Sequence, residues 1–257
     1  MIGLAIGDVV GEPGLKMIEA HVSSLRRLYD ADFVMANGEN ADMLGIRPEQ
    51  ADRMFSAGVD VITLGNHTWR RREIARTLDE QPRLLRPVNF PSQNPGAGHF
   101  VFITNLGVRV CVASLVGRCL MDFHPDNPFL AADRLLAQTE ADLFVIDFHA
   151  ETTSEKAALA HHLDGRAQAV LGTHTHVQTA DERILPGGLG FLTDLGMTGP
   201  AHSVLGVKPE QSVSSFLGNL PQRFEPAPGP AKLEGALFEI DEQTRRCTAI
   251  RRLAIHS

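Results

Sequence analysis

A chain of 257 residues, 43% hydrophobic and 21% charged, carries enough apolar material for a sizeable core, as one large domain or two small ones. Its net charge of −7 argues against a long basic groove for nucleic acid, where Lys and Arg must neutralise phosphates, but does not exclude a small nucleotide held beside a metal ion. Cys111, Cys119 and Cys247 have no CxxC spacing and form no even set, which speaks against a disulfide framework or a zinc knuckle and for a reducing cytosol.

Residues 2–7 read as a first buried strand that ends at Asp8. The opening run lacks the basic region of a signal peptide, and no apolar run approaches the roughly 20 residues that span a bilayer, so a soluble, cytoplasmic protein is expected. A helix follows from Pro13 to about Leu28, with Leu15, Ile18, Val22 and Leu25 on one face. The glycines around Asp8 are spaced GxxxGxxG, and Asp8 and Glu12 would face a pyrophosphate with like charge, so a dinucleotide-binding turn is rejected. Phe33–Ala36 is the second strand, leading into Asn37-Gly38-Glu39-Asn40. A helix from Pro48 to Ala57 is closed by Gly58, and Val59–Leu64 forms a third strand ending in Gly65-Asn66-His67. Trp69–Leu78 reads as helix, and 82–98 as loop with a short strand at Leu84-Leu85.

From Phe100 the pattern changes to a hairpin, 100–104 with 108–115 around Gly107, without a linker that would mark a second domain. The whole of 1–257 is therefore read as one domain. A helix from about Phe129 to Thr139 precedes the strand Leu143–Asp147, which ends in Phe148-His149. Residues 150–155 can cap a helix running to Leu163. Gln168–Leu171 is the next strand, opening into Gly172-Thr173-His174-Thr175-His176. Phe191–Asp194 suggests another strand, 197–231 is Pro-rich and mostly irregular, and 233–240 and 247–255 close the chain as two strands.

Asp8, Glu39-Asn40, Asn66-His67, His149 and His174 with His176 each follow an apolar strand. In open α/β sheets ligands bind beyond the carboxyl ends of strands. Any one of these residues alone could be a turn residue, since Asn and Asp favour such positions, but five coincidences point to a metal site. Three imidazoles, two carboxylates and amide oxygens exceed the needs of one tetrahedral zinc and match two ions roughly 3.5–4 Å apart. Nitrogen and oxygen ligation without thiolate suits iron, manganese or zinc. His67, next to the candidate ligand Asn66, is placed to protonate a leaving alkoxide. Ser154 with Thr152 and Thr153 reads as a cap, Phe123 and Phe129 as core, and Arg70-Arg71-Arg72 as a solvated helix start.

Gly65-Asn66-His67 and Gly172-Thr173-His174-Thr175-His176 resemble motifs of the calcineurin-like metallophosphoesterases. The chain departs from them at Val10, where those enzymes have a histidine, at Glu39 in place of Asp, and at Thr68 in place of an acid. With Asp147–Lys156 and the run His174–Asp181, these departures resemble the YmdB-like phosphodiesterase branch nearly end to end. The resemblance implies a four-layer α-β-β-α sandwich, an α/β fold, and hydrolysis of small 2′,3′-cyclic and 3′,5′-cyclic nucleotides by a metal-bridging hydroxide. It implies two metal ions per subunit, iron first and manganese or zinc as alternatives. One ion would take Asp8, Glu39, Asn40 and His176; the other Glu39, Asn66, His149 and His174, with Glu39 bridging and His67 as the proton donor. Asn40 would stand in for the missing histidine through its amide oxygen. The rivals are an amidohydrolase-type dinuclear enzyme and a nucleotide- or RNA-binding regulator with little turnover. The oligomeric state is left open, a homo-oligomer among the options.

Overall fold

The structure, a computed structural model, describes residues 1–257. In chain order, β1 (Ile2–Ile6) runs into the two-residue β2 (Asp8–Val9), followed by α1 (Gly11–Tyr29), β3 (Phe33–Asn37), α2 (Pro48–Ser56), β4 (Val61–Thr63), α3 (Ile74–Glu80) and β5 (Leu84–Leu85). After a loop come β6 (His99–Ile103), β7 (Arg109–Val116), α4 (Pro128–Gln138), β8 (Leu143–His149), α5 (Thr153–Leu163) and β9 (Ala169–Thr173). The last third holds β10 (Arg183–Ile184), β11 (Gly190–Leu192), β12 (Met197–Pro200), α6 (Pro209–Phe216) and the long hairpin β13 (Ala231–Asp241) with β14 (Arg246–His256).

Two sheets result. The first has the order β2-β12-β13-β1-β3-β4-β5, with β14 beside β13; the second has the order β10-β11-β9-β8-β7-β6. β1, β3, β4 and β5 are parallel, as are β7, β8, β9 and β11, so the carboxyl ends of each set lie on one rim.

Strand periodicity explains how the layers separate. Successive side chains of a strand point to opposite faces. Leu4, Ile6, Val34, Ala36 and Ile62 therefore pack against Leu15, Ile18 and Val22 of α1, Met54 of α2 and Ile74 of α3. Their alternates, Ala5, Phe33, Met35 and Val61, meet Val110, Val112, Val145, Ala169 and Leu171 across the gap between the sheets. The far face of the second sheet, with Ala113, Ile146, Phe148 and Val170, is covered by Ala131 and Leu135 of α4 and Leu159 and Leu163 of α5. The layers are helix, sheet, sheet, helix, which is the four-layer sandwich expected. Parallel strands covered on both faces have no polar side, which is why they read as continuous apolar runs. Each large aliphatic side chain buried this way contributes about 1.5–3 kcal/mol. No helix is long and apolar enough to cross a membrane, and all three cysteines are free.

The structure corrects several local expectations. Residues 69–73 are turn rather than helix, because Arg70 N–H and Thr68 N–H bond back to His67 and Gly65 and spend the first turn on holding the loop. Arg71 lies against Asp42 at 2.5 Å instead of being solvated. Thr152 occupies the N-cap of α5 but makes no side-chain cap bond. Gly172 and Thr173 belong to β9, so the loop starts at His174. The stretch taken as irregular holds β12 and α6; Pro209 begins that helix instead of breaking it, a position where its missing N–H costs nothing.

Candidate metal centre

The five strand ends meet where the carboxyl rims of the two sheets face each other. The first sheet supplies Asp8 from β2, Glu39 and Asn40 after β3, and Asn66 and His67 after β4. The second supplies His149 from β8 and His174 and His176 after β9. Asp8, Glu39 and His149 are wholly buried, and Asn40 nearly so. The glycines here make room rather than merely turn the chain. A Cβ on Gly65 would overlap the His149 ring and lie 2.6 Å from Glu39 Oε2.

His149 Nε2 is the focus of one half of the cluster. Glu39 Oε1 lies 2.8 Å from it, Asn66 Oδ1 2.9 Å and His174 Nδ1 2.9 Å. Ligand atoms of Glu39, His149 and His174 all fall within 4.8 Å of one another. A single ring nitrogen carries at most one proton and cannot satisfy three acceptors. Glu39 Oε1 is in fact buried without a hydrogen-bond partner. Four ligand atoms that converge with at most one proton among them are what a bound cation would satisfy, so these residues fit a metal ion.

Asp8 Oδ1 and Asn40 Nδ2 lie 3.6 and 3.2 Å from His176 Nε2 in the second half of the cluster. Asn40 departs from its expected role in orientation. Its Oδ1 lies 2.9 Å from His67 Nδ1, and its amide nitrogen is turned towards Asp8 and His176. Ligation through the oxygen would need the amide turned over, an assignment that hydrogen-bond partners decide. His67 is also tied to Glu39, through its backbone N–H to Oε2 at 2.9 Å and with Nδ1 3.4 Å from Oε1.

Electrostatics supports a cation as well. Burial penalises the charged form of Asp8, but the charges of His176 and His149 and the His174 N–H outweigh it and hold its pKa below the usual range. Glu39 is likewise lowered, against its burial, by His149 and His67. Burial works against a charged His149, yet Glu39, Asp8 and Asp147 push it up to about 9. Its near neighbour His174 is driven down to about 3, first by burial and then by His149. Buried carboxylates thus recruit protons onto His149 and His176, in the space where a metal ion would sit.

Each histidine is oriented from behind. His176 Nδ1 faces the Leu205 carbonyl at 3.2 Å, and His174 Nε2 lies 3.1 Å from Glu151 Oε2. His149 Nδ1 lies 2.9 Å from Thr173 Oγ1, which donates to Asp147 Oδ1 at 2.6 Å. Such outer partners fix which ring nitrogen faces a metal. Asp147 also accepts from Thr63 Oγ1 and Asn37 Nδ2, joining the two sheets beneath the site, and burial raises its pKa. Sequence reading passed over Asp147 as an ordinary strand residue. An Asp at the end of Leu-Phe-Val-Ile was the available signal, since a buried carboxylate needs partners. Lys156 and Asp194, both wholly buried and 2.7 Å apart, were also missed.

Outside the centre, Trp69 lies 6.2 Å from Phe90, and Phe123 packs edge-on to Phe90 at 5.6 Å. Phe129 packs on His162 and into the core beneath α4.

Residues 4–253 match the model of a family described as YmdB-like protein. The chain is 45% identical over 256 residues to the 2′,3′-cyclic-nucleotide 2′-phosphodiesterase of Bacillus subtilis (strain 168), covering 98% of this chain and 96% of that one. A crystal structure of a hypothetical protein from Thermus thermophilus superposes with a TM-score of 0.93 at 41% identity, covering 100% of this chain and 99% of the other. A novel phosphatase from Mycoplasma pneumoniae superposes with the same TM-score, 0.93, at 35% identity, covering 100% and 93%.

Proposed function

The chain belongs to the YmdB-like protein family, and from that membership and its converging side chains we propose that it is a dinuclear-metal phosphodiesterase acting on small cyclic nucleotides. The 2′,3′-cyclic forms come first, following the activity named for the Bacillus subtilis relative, and 3′,5′-cyclic forms second. The observation that carries the reading is the meeting of Glu39 Oε1, Asn66 Oδ1 and His174 Nδ1 on His149 Nε2.

Asp8, Glu39, Asn40 and His176 would hold one ion, and Glu39, Asn66, His149 and His174 the other. Iron is the first choice, with manganese or zinc as alternatives, because the donors are nitrogen and oxygen without thiolate. Two ions bound there would neutralise phosphate charge and lower the pKa of coordinated water. The protein's own residues complete the reaction. Glu39 holds His67 from behind, through the backbone N–H at 2.9 Å and with Oε1 3.4 Å from Nδ1, which leaves Nε2 as the nitrogen for the departing sugar oxygen. As water oxygen bonds to phosphorus and gives up a proton to solvent, the bond from phosphorus to the 2′ oxygen breaks, the proton on His67 Nε2 passes to that oxygen, and solvent reprotonates His67. His67 is partly exposed and can reach substrate. Its pKa is lowered, by burial first and then by His149 and Arg70, so it gives up the proton readily.

The test is metal analysis of protein purified without chelator, paired with a panel of cyclic nucleotides. Two transition-metal ions per chain and release of a 3′-phosphate from 2′,3′-cyclic substrates are expected. Protein that takes up metal and binds nucleotide but yields no product over long incubation would instead be a binding regulator.

A further inference from the structure

His174 and His176 flank Thr175 in a conformation that needs outside support. Their φ angles are 100° and 64°, in the left-handed region that side chains other than glycine avoid. Such backbone persists only where the surroundings over-determine it. Asp8 accepts the His174 N–H at 3.1 Å, and a second buried carboxylate holds the residue between the two histidines. Asp194 Oδ2 accepts the Thr175 N–H at 3.1 Å and the Thr175 hydroxyl at 2.8 Å, while Oδ1 accepts the Gly196 N–H at 2.9 Å. Lys156 reaches the same Oδ2 from α5 at 2.7 Å, and both side chains are wholly buried. The Lys156 stem passes under β9, where a Cβ on Gly172 would come within 3.0 Å of its Cδ and would overlap the Thr193 carbonyl. Glycine at 172 is required first by the close Thr193 carbonyl, and it also leaves room for the lysine stem.

The geometry points to the Lys156–Asp194 pair as a positioning device for the candidate metal centre. Lys156 caps Asp194 Oδ2 from α5, and Asp194 clamps Thr175 so that the two flanking imidazoles are aimed before any ion arrives. This rests on the metal reading given above. A buried pair that only stabilised the fold would have no reason to spend two acceptor contacts on the one residue between two candidate ligands.

The test uses the full chain with Lys156→Met and Asp194→Asn together, which removes both charges at nearly constant volume and avoids an unpaired buried ion. An Asn amide has one oxygen and cannot serve both the Thr175 and the Gly196 N–H. Amide hydrogen exchange is followed in metal-free protein, and Mn2+ binding by electron paramagnetic resonance. Exchange at Thr175 and Gly196 is expected to accelerate while β9 stays protected, and Mn2+ affinity to fall about ten-fold or more, the usual effect of losing an outer partner. A lowered melting temperature with unchanged loop exchange and unchanged Mn2+ affinity would overturn the proposal. If the double variant does not fold, Thr175→Val decides: it must weaken Mn2+ binding, and Thr175→Ser must restore it. Wild-type affinity in Thr175→Val overturns the clamp. Wild-type protein that takes up no Mn2+ would instead sink the metal reading, and loop exchange, which needs no ion, would still judge the clamp.

Discussion

His67 and His149 both lie beside Glu39, yet their surroundings give them opposite properties. His149 is enclosed by carboxylates that push its pKa up to about 9, whereas His67, with Arg70 and His149 near it, is lowered by its burial. The first is suited to hold positive charge in place and the second to pass a proton on. His67→Ala should therefore keep both metal ions and lose about 10²–10⁴-fold in turnover, the usual worth of a general acid. Because the acid must be protonated to act, turnover of the wild-type enzyme should fall as pH rises through the pKa of His67, and that limb should vanish in the variant. Metal analysis beside a pH–rate profile checks both, and loss of metal from His67→Ala would make His67 a ligand. At this scale the eight candidate site residues were legible because each stands where an apolar run stops. Asp147, Lys156 and Asp194 were not, because each acquires meaning only from partners far away in sequence. Asn37 is 110 residues from Asp147, and Asp194 is 38 from Lys156.

Elements were legible in proportion to their burial. The parallel strands and the helices that cover them show a clear period, and their limits fell within a few residues of those expected. Segments shaped by the site departed most. The turn after His67 looks helical in composition, but its N–H groups serve the loop, and helix begins only at Ile74. β12 is four residues long and exists because β2 and β13 leave a slot between them, which no local pattern announces. The approach of the β4–α3 loop to β8 makes a sharp prediction. Gly65→Ala places a methyl group inside the His149 ring, with no flexible side-chain end to yield. Overpacking of this kind costs about 1–3 kcal/mol, and here the ring that must move is a proposed ligand. The variant should bind one fewer Mn2+ and melt several degrees lower. Gly107→Ala, at an open hairpin turn with nothing within 4 Å, should keep full metal binding despite its positive φ.

At the scale of the whole molecule, the centre joins two sheets whose facing sides are mainly apolar, so its buried charges should weigh on stability. In chelator-treated protein, His149 has a folded pKa of about 9 against an unfolded value near 6.5. A raised pKa contributes stability that is complete below pH 6.5 and lost as pH climbs towards 9, at up to about 1.4 kcal/mol per pH unit. His174, at about 3, and His67 are lowered and act in the other direction: the unfolded chain protonates them below pH 6.5 while the fold resists. Asp8 and Glu39, also lowered, add to the loss once pH falls through the carboxylate range. Metal-free protein should accordingly melt highest near pH 6.5 and lower on both sides. A bound ion takes over the charge that the His149 proton supplied, so Mn2+ should remove the alkaline decline. At one hundred times its dissociation constant, a ligand specific for the folded state adds about 2.7 kcal/mol, or roughly 5–10 °C for a domain of this size. Thermal melts between pH 5 and 9, with chelator and with Mn2+, measure both effects. A metal-free melting temperature that is flat from pH 6.5 to 9 would mean that His149 is not the proton-holding group of the empty centre.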